Sequence, residues 1–567
     1  MNTPVATETE RDVSEGRSGA IPGRESPLRE NFVERWLQKN WNVLAPVVVA
    51  AGFALRLFTA TRSYLSPDEA LHYLLINQSS AWLAYKASLT NAHPPLIFLI
   101  LYVWHLLGRS EVMLRLPSVL LGTAFCWVAF KWVSAAFGRT AGLISLILFT
   151  FSPAMVSLSA EVRGYALMLF CMAAALYFLA RAFEEKSSGK MWCFSIFLYL
   201  AILSHYSALF FTVALGVYVL ARSVDGQLPR KAVVAWALGQ LGALAVYVFL
   251  YVTHVSKLKT MIALWSMPFE GAYFHPDSGN IFTFTKVNTL NIFVFLFAQQ
   301  YVAITALLAL IAGTVILFGK DLLSHRDGRP SSRLGILLFL PFAAVWGAAL
   351  AGIYPYVGSR HTVFLAPFAI AGASYLLAAI CRQKLSVGLL LAFVLMAFSI
   401  AAVRPVDELN PSKGDLRPAV MASAVKYMNA TIPKGDLILV DFQSSLPATY
   451  YLCGPKVMIP METWGGEYHE FACDGYPVIS LHIWKVIAQS FSRQFQNMAQ
   501  SHGLRPGERV WVFQSGWGAD LGAELPGHDP KFRCLSPKNF GGSVTVIPFV
   551  VDQDLSPALP PGSCANQ

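Results

Sequence analysis

The sequence predicts a polytopic α-helical membrane protein with about eleven spans and extra juxtamembrane helices, followed by a C-terminal extracytoplasmic α/β domain. The chain has 567 residues, is 55% hydrophobic and 13% charged, and has a mean hydropathy of +0.50. This composition excludes an ordinary soluble domain. Apolar runs fill the chain up to about residue 403, and beyond it Pro, Gly and charged residues increase and no spanning run remains. We therefore divide the chain into a disordered cytoplasmic tail (1–42), a membrane domain (43–403) and an external domain (404–567).

The predicted spans follow from apolar runs near the length of about 20 residues that a helix needs to cross the hydrocarbon core. Two short runs are interpreted as a hairpin that turns at Ser204–Tyr206, with a single bent helix as the alternative. The run 94–107 is also short and carries His105, so we predict a juxtamembrane or re-entrant helix there. The spans are 43–60, 116–136, 140–158, 164–182, 192–203, 207–221, 232–253, 297–318, 334–352, 362–380 and 385–403.

Loop charge predicts the orientation of these spans. With the N-terminus in the cytoplasm, every inside loop carries Lys or Arg, as the positive-inside rule requires. Residues 61–115 and 254–296 then form the long external loops, and Trp265, Phe269, Tyr273 and Phe274 of the second suit a membrane interface. The formal net charge of +10 therefore reports topology and not nucleic-acid binding. We expect a multi-pass protein with its C-terminal domain outside the cytoplasm.

The external domain shows alternating helix-like and strand-like segments. A helix is predicted over 417–430, and strands over Asp436–Phe442, Arg509–Gln514 and Ser543–Val551. Helices between strands favour a small α/β domain. This part also contains four of the eight cysteines, and an oxidising compartment would allow two disulfides with three possible pairings. None of the eight has CxxC spacing, which argues against structural zinc. The four external cysteines are Cys453, Cys473, Cys534 and Cys564.

A set of polar residues lies at the predicted outer ends of the apolar runs. Carboxylates, cations and imidazoles are costly near lipid, so their accumulation on one side indicates function. A carboxylate can serve as a general base, and arginine can bind phosphate oxygens through its planar fork. The set comprises Asp68, Glu69, Lys86, His93, Arg163, Tyr165, His205, Tyr206, Arg360 and His361.

Each member of this set also has an ordinary structural interpretation. Ser66-Pro67-Asp68 is typical of a helix N-terminus with acidic residues in its first turn. Glu161 and Arg163 can form a local salt bridge, and Lys86 can be a solvated side chain. Interfacial Tyr and Arg commonly anchor helix ends. The functional interpretation depends on several such groups occurring on one side.

Residues from Tyr64 to about Ala182 resemble the membrane glycosyltransferases of the protein O-mannosyltransferase-like group, which includes the aminoarabinose transferases of lipid A modification. The resemblance extends more weakly over 44–403 and implies a GT-C fold. The matching text is SPDEALHY, AHPPLIFLILYVWHLLGRSEVMLRLPSVLLG, FGRTAGLISLILFTFSPAMVSLSAEVRGYALMLF, LSHYSALFF and SRHTVFLAPFAIAGASYLL.

The resemblance implies an inverting transfer of a monosaccharide from a polyprenyl-phosphate-linked donor to an acceptor hydroxyl on the extracytoplasmic side. By position, Asp68 corresponds to the catalytic acidic residue, and Glu69 is the neighbour that could substitute for it. Lys86, Arg163 and Arg360 are the candidates for the donor phosphate. His93, Tyr165, His205, Tyr206 and His361 are supporting candidates.

The expected partners are the donor lipid, the bilayer and an acceptor glycan, lipid or protein, with no nucleic acid. The luminal lectin-like domain of the eukaryotic protein-mannosylating relatives is not recognisable, which favours a bacterial plasma-membrane enzyme. No ligand spacing indicates a metal, so no cofactor is expected, and a Mg²⁺ ion held by Glu69 or His93 is the alternative. Two further functions stay open: a flippase or transporter of a polyprenyl-linked sugar, and a non-catalytic subunit of envelope glycan assembly.

Overall fold

The structure is a computed structural model that describes the greater part of the chain. Among the residues that it describes, helices dominate up to Ala402 and strands occur only in the C-terminal domain. The described residues are 32–258, 271–326, 332–402, 417–455, 468–481, 498, 501–516, 519–525, 531–541 and 544–552. Of the predicted tail and external segments, residues 1–31 and 259–270, including Trp265 and Phe269, lie outside these ranges.

The described segments of the membrane part consist of helices and the loops between them. Within the described residues, seven helices are long and apolar enough to cross a membrane, and six apolar helices are shorter. This architecture confirms the predicted polytopic helical fold. The helices are α1 (Phe32–Ala60), α2 (Pro67–Ile76), α3 (Ala81–Ser88), α4 (Leu96–His105), α5 (Glu111–Phe137), α6 (Arg139–Phe151), α7 (Pro153–Leu158), α8 (Tyr165–Glu184), α9 (Ser188–Ser204), α10 (Ala208–Val224), α11 (Arg230–Leu250), α12 (Ile281–Phe297), α13 (Gln300–Arg326), α14 (Leu334–Leu350), α15 (Ala366–Ile380) and α16 (Leu385–Ala402).

The short apolar runs fold as the sequence predicts. The hairpin interpretation is confirmed, because α9 and α10 are separate helices on either side of His205. The run 94–107 forms the short helix α4. The predicted span 140–158 is divided into α6 and α7, since Pro153 cannot donate the backbone hydrogen bond that a continuous helix requires.

Two segments differ from the prediction, one in where a helix begins and one in whether a helix forms. The first helix begins at Phe32, so the predicted tail boundary at 42 is too late. The carboxylate of Glu34 explains the extension, because it accepts hydrogen bonds from the backbone nitrogens of Leu385 and Ser386 at 2.8 Å and caps α16. The second difference is α12, which lies in the predicted external loop 254–296. Its Asn, Thr and Lys residues interrupt the apolar run that the prediction relied on.

Small residues allow close packing between the helices of the membrane part. A Cβ built on Gly122 of α5 would lie 2.4 Å from the Cβ of Ser159. Such a distance is far inside van der Waals contact, so the approach of α5 to this segment depends on glycine. Small residues at helix interfaces are a general feature of membrane proteins. The segment after Ser159 carries Arg163, so this packing also sets the position of a predicted site residue.

The C-terminal domain is an α/β unit with a mixed sheet. Its elements are α17 (Pro418–Thr431), β1 (Leu437–Asp441), α18 (Phe442–Tyr451), β2 (Tyr468–Cys473), β3 (Tyr476–Leu481), β4 (Arg509–Gln514), α19 (Leu521–Glu524), β5 (Lys531–Cys534), β6 (Lys538–Gly541) and β7 (Val544–Asp552). The three predicted strands and the predicted helix are confirmed as β1, β4, β7 and α17. The strand order is β2-β3-β1-β4-β7-β5, with β6 also paired to β7. Strand β1 is parallel to β3 and β4, and the remaining pairs are antiparallel.

One disulfide pairing that the sequence leaves open is defined by the structure. Cys453, just after α18, is bonded to Cys473 at the end of β2. Cys534 is disulfide-bonded as well, and Cys564 lies outside the described residues. The first disulfide fixes the chain after α18 to the edge hairpin of the sheet.

Candidate active site

The predicted acidic pair lies in the first turn of α2. Ser66 is the N-cap and Pro67 takes the first helical position, which proline favours because it has no N–H to satisfy. The backbone nitrogen of Ser66 donates to Glu69 at 3.0 Å, which completes a capping box. The capping interpretation therefore applies to Glu69. It leaves Asp68 for contacts outside the helix.

Asp68 bridges two arginines that are distant in the sequence. Its Oδ2 accepts from Nη2 of Arg163 at 3.1 Å and from Nη1 of Arg360 at 2.7 Å. The side chains of Asp68, Arg163 and Arg360 are 12%, 5% and 24% exposed, so Arg360 is the most accessible of the three. We call these three residues the ion triad. Two guanidinium groups and one carboxylate leave it with one net positive charge.

Glu69 is fully engaged on the opposite side. Arg115 of α5 donates to it from Nε at 2.8 Å and from Nη2 at 2.9 Å, and neither side chain is appreciably exposed. The backbone nitrogen of Val162 donates to Glu69 at 3.0 Å. Arg115 further donates to three carbonyls of the α1–α2 connection. This geometry favours a structural role for Glu69, so the proposed base is Asp68.

A group of aromatic side chains adjoins the ion triad. The His93 ring centroid lies 5.6 Å from that of His72 and 5.1 Å from that of His205. The Tyr165 ring lies 5.2 Å from His205, and the Arg163 guanidinium lies 5.9 Å from the centre of that Tyr165 ring. We call His72, His93, His205 and Tyr165 the ring cluster. The short connections before α4, α8 and α10 bring His93, Tyr165 and His205 to His72, which lies on α2.

The imidazoles of the ring cluster are held neutral. Burial, and then the nearby Arg163 cation, lower the pKa of His72 from 6.5 to about 3. Burial, with Arg163 and Arg360, likewise lowers the pKa of His205 to about 3. The pKa of His93 falls well below 6.5 because it is buried and has His205 and Arg163 beside it. Neutral imidazoles can both donate and accept hydrogen bonds.

Three buried polar atoms at this place have no hydrogen-bond partner among the described residues. They are Nε2 of His72, Nε of Arg163 and the hydroxyl of Tyr165. Buried polar groups are normally paired, and exceptions indicate a bound molecule or strain. His72 is oriented by the other ring nitrogen, since Nδ1 lies 2.8 Å from the Asp68 carbonyl. One of the unpaired atoms belongs to the ion triad and two belong to the ring cluster.

The remaining predicted residues lie at the periphery. Lys86 is exposed on α3, with its ammonium 5.3 Å from the Trp82 ring, and none of its described contacts reaches the ion triad. The Tyr206 hydroxyl lies 2.6 Å from Nδ1 of His254, whose Nε2 lies 2.7 Å from the Asn91 carbonyl. Tyr206 thus supports the loop that carries His93. His361 directly follows Arg360 in the short 3₁₀ helix Arg360–Leu365, and the Tyr354 hydroxyl donates to its carbonyl at 3.0 Å.

Two site residues escaped the sequence prediction. Arg115 lies at the start of an apolar run, where a charge would have indicated a buried carboxylate partner. His72 stands four residues after Asp68, on the same face of a helix. Both signals were available in the sequence. In the part of the chain that the structure describes, no group of three or more His, Cys, Asp or Glu residues is placed to hold a metal ion.

Comparison with known proteins agrees with this architecture. Residues 92–252 match the family described as dolichyl-phosphate-mannose-protein mannosyltransferase. No curated protein matches the chain. The fold is similar to ArnT from Cupriavidus metallidurans, solved bound to undecaprenyl phosphate, with a TM-score of 0.51 and 13% identity over 89% of this chain and 98% of that one.

Weaker similarity links the chain to the oligosaccharyltransferase AglB from Archaeoglobus fulgidus, solved with an inhibitory peptide and a dolichol-phosphate. Here the TM-score is 0.46 and the identity 9%, over 84% of this chain and 70% of that one. The similarity to ArnT establishes the fold, and the family match covers the segment that carries His93, Arg163, Tyr165 and His205. The chain therefore has the fold of ArnT, and its residues 92–252 match the family of dolichyl-phosphate-mannose-protein mannosyltransferases.

Proposed function

We propose that this protein transfers a monosaccharide from a polyprenyl-phosphate-linked donor to an acceptor hydroxyl, with inversion at the anomeric carbon, on the extracytoplasmic side of a bacterial plasma membrane. The observation that carries the proposal is the ion triad. One carboxylate and two guanidinium groups from three distant segments meet beside a buried cluster of neutral rings. This combination suits a reaction that needs a base and a phosphate-binding cation together.

The donor phosphate is assigned to the arginines. Arginine binds phosphate oxygens through two parallel hydrogen bonds, and Arg360 is the more accessible of the two. As the bond from the anomeric carbon to the phosphate oxygen breaks, that oxygen gains negative charge. Prearranged cations in a site with little water stabilise such charge far better than bulk water does. The excess positive charge of the ion triad provides this stabilisation without a metal step.

Asp68 is assigned as the general base. In the free protein both arginines bind the same carboxylate oxygen, which stabilises the charged carboxylate. A donor phosphate that takes over Arg360 would leave Asp68 with one cation fewer and make the carboxylate a stronger proton acceptor. The acceptor hydroxyl then attacks the anomeric carbon opposite the phosphate and passes its proton to Asp68. Donor binding therefore prepares the base.

The sugar of the donor is assigned to the ring cluster. The unpaired atoms of His72, Arg163 and Tyr165 offer hydrogen bonds to hydroxyl groups. The neutral imidazoles supply donors and acceptors without adding charge next to the anomeric carbon. Their burial also excludes water, which would otherwise hydrolyse the donor.

The transporter alternative would use ionisable groups deep within the spans. Arg56 is fully buried in α1, but it lies near the end of that helix, four residues before Ala60. Its guanidinium donates to the carbonyls of Gly52, Phe149 and Thr150 at 3.0–3.2 Å. These contacts tie α1 to the end of α6 and favour a packing role, so no second function is proposed.

A transfer assay tests the proposal. Purified protein would receive a panel of radiolabelled polyprenyl-phosphate sugars together with candidate acceptors. Wild type would be compared with Asp68→Asn and with the matched control Glu184→Gln, whose carboxylate forms a surface ion pair with Arg181 and is 60% exposed. We expect labelled acceptor with wild type and Glu184→Gln, and at least a 100-fold lower rate with Asp68→Asn, since general-base catalysis contributes about 10²–10⁴-fold.

The outcomes separate the assignments. Transfer by wild type that persists at a similar rate in a folded Asp68→Asn protein would assign the base to another residue. Binding of donor without transfer from any member of the panel would contradict the enzymatic function itself.

A further inference from the structure

The external domain makes direct contact with the helix that carries Asp68. Helix α18 ends in Tyr450 and Tyr451, and both rings pack edge to face on the α2 region. The Tyr450 ring lies 5.2 Å from that of Tyr73, and the Tyr451 ring lies 6.1 Å from that of Tyr64. The two tyrosine rings are also in mutual contact, with 4.7 Å between their centroids. The last turn of α18 therefore fills the corner beside the start of α2.

The Tyr451 hydroxyl forms two hydrogen bonds in that corner. It accepts from the backbone nitrogen of Leu65 at 2.7 Å and donates to the carboxylate of Glu111. Leu65 is fully buried, so its N–H has no access to water as a replacement partner. Ser66, the N-cap of α2, is the next residue in the chain. The hydroxyl thus binds the backbone three residues before Asp68.

The same connection is held from the other side by Arg115. That guanidinium donates to the carbonyls of Ala60, Ser63 and Tyr64 at 2.7–3.0 Å. Arg115 and Glu111 are separated by one turn of α5. The connection from α1 to α2 is therefore fixed by two side chains of α5, one acting directly and the other through Tyr451.

The chain after α18 strengthens this contact. The carbonyl of Pro455 accepts from the Tyr73 hydroxyl and, at 3.3 Å, from Nη1 of Arg109. The Cys453–Cys473 disulfide ties the same segment to strand β2. The Tyr450 hydroxyl donates to the Arg109 carbonyl at 2.7 Å. The external domain thus contacts both the beginning and the middle of α2.

We propose that Tyr451 of the external domain is a positioning residue for the reaction: its hydroxyl fixes the start of α2 and thereby places Asp68 between Arg163 and Arg360. The inference rests on the proposed function, because it takes Asp68 as the reacting group. It makes the external domain a structural part of the active site. A displacement of about 1 Å in a catalytic group can cost on the order of 100-fold in rate.

The test compares Tyr451→Phe with the control Tyr427→Phe. The first substitution keeps the ring and removes only the hydroxyl. Tyr427 of α17 also packs on an aromatic ring, that of Phe540 at 5.4 Å, but within the external domain. Three quantities are measured on each purified protein: kcat, the KM for the donor, and hydrogen exchange of the peptide that spans residues 61–70.

For Tyr451→Phe we expect a kcat about 10- to 100-fold below wild type, a donor KM changed less than threefold, and faster exchange in residues 61–70. Tyr427→Phe should match wild type in all three. Unchanged kcat and unchanged exchange would overturn the inference. A parallel rise in donor KM with kcat intact would also overturn it, because it would assign Tyr451 to donor binding.

If the wild type transfers no sugar, the hydrogen-exchange measurement still tests the inference. The proposed function would then have failed, and unchanged exchange in Tyr451→Phe would overturn the positioning role separately. If Tyr451→Phe does not fold, Glu111→Gln replaces it, since that variant weakens the acceptor of the Tyr451 hydroxyl and leaves the hydroxyl in place. The same fall in kcat with a similar donor KM is expected.

Discussion

The buried pair of Glu69 and Arg115 allows a sharp prediction about stability. Glu69→Gln keeps the size and shape of the side chain but removes its charge. In the wild type, Oε1 accepts from Nε of Arg115 and from Val162 N, and Oε2 accepts from Nη2 of Arg115 and from Ser66. Each of these partners is a donor. Whichever way the glutamine amide turns, its NH₂ group faces donors and at least two hydrogen bonds are lost.

The magnitude follows from the charge that is left behind. Removing one partner of a buried ion pair costs about 3–5 kcal/mol, because the other charge stays buried without compensation. Arg115 retains three backbone carbonyls as acceptors, which places the expected loss near 3 kcal/mol. A surface pair such as Arg181 with Glu184 contributes about 0–1 kcal/mol. The two glutamate substitutions should therefore differ by about 2 kcal/mol or more.

The assay is thermal unfolding in detergent, followed by tryptophan fluorescence at one fixed scan rate. Unfolding of a large membrane protein is commonly irreversible, so the comparison uses the apparent Tm of variants treated identically. We expect Glu69→Gln to unfold several degrees below wild type and Glu184→Gln to unfold with wild type. Equal apparent Tm values for Glu69→Gln and wild type would refute the structural role, and the catalytic assignment of Glu69 would regain support.

Three further predictions concern other parts of the fold. Burial holds the pKa of His72 at about 3 against an ordinary 6.5, so unfolding takes up a proton between these values and the free energy of unfolding falls as the pH falls from 6.5. A single group changes the free energy of unfolding by up to about 1.4 kcal/mol per pH unit, so the Tm of His72→Asn should decline less steeply with falling pH than that of wild type. An equal slope in the two proteins would contradict the neutral state of His72. The Cys453–Cys473 disulfide closes a loop with a sequence separation of 20, so Cys453→Ser should lower the free energy of unfolding by about 2–4 kcal/mol. Because the variant lacks this disulfide, a reductant should lower its Tm less than that of wild type. Gly122→Ala places a Cβ 2.4 Å from that of Ser159, whereas in the control Gly189→Ala the new Cβ lies 3.7 Å from its nearest atom. Gly122→Ala should lower the Tm and the yield of folded protein, and Gly189→Ala should leave both unchanged.

Sequence predicts well those elements of the fold that depend on composition and on the periodicity of apolar residues. Long apolar runs and three strand-like segments each follow from local rules. Helix α12 was missed because Asn288 and Lys286 break its apolar run, although its neighbours pack it against the membrane part. Whether a helix with both apolar and polar residues is buried depends on its tertiary contacts, which a short stretch of sequence does not reveal.

The candidate site shows the same division. The sequence predicts Asp68, Arg163 and Arg360 as site residues because they end apolar runs on one predicted side, and the structure brings them into contact. The same criterion predicts Lys86, which lies apart, because it indicates a side of the membrane and not a position on that side. The contact of Tyr451 with Leu65 spans 386 residues. A hydroxyl at the end of a polar helix carries no sequence signal for such a partner.

The most direct measurement for the central claim is the affinity for undecaprenyl phosphate, titrated into wild type, Arg360→Gln and Lys86→Gln. The two variants remove one cation each, one inside the ion triad and one on the exposed face of α3. A hydrogen bond between charged partners contributes about 1.5–3 kcal/mol, so Arg360→Gln should weaken binding by about 10- to 100-fold. Lys86→Gln should bind like wild type. Loss of binding in Lys86→Gln with unchanged affinity in Arg360→Gln would move the phosphate away from the ion triad and contradict the account.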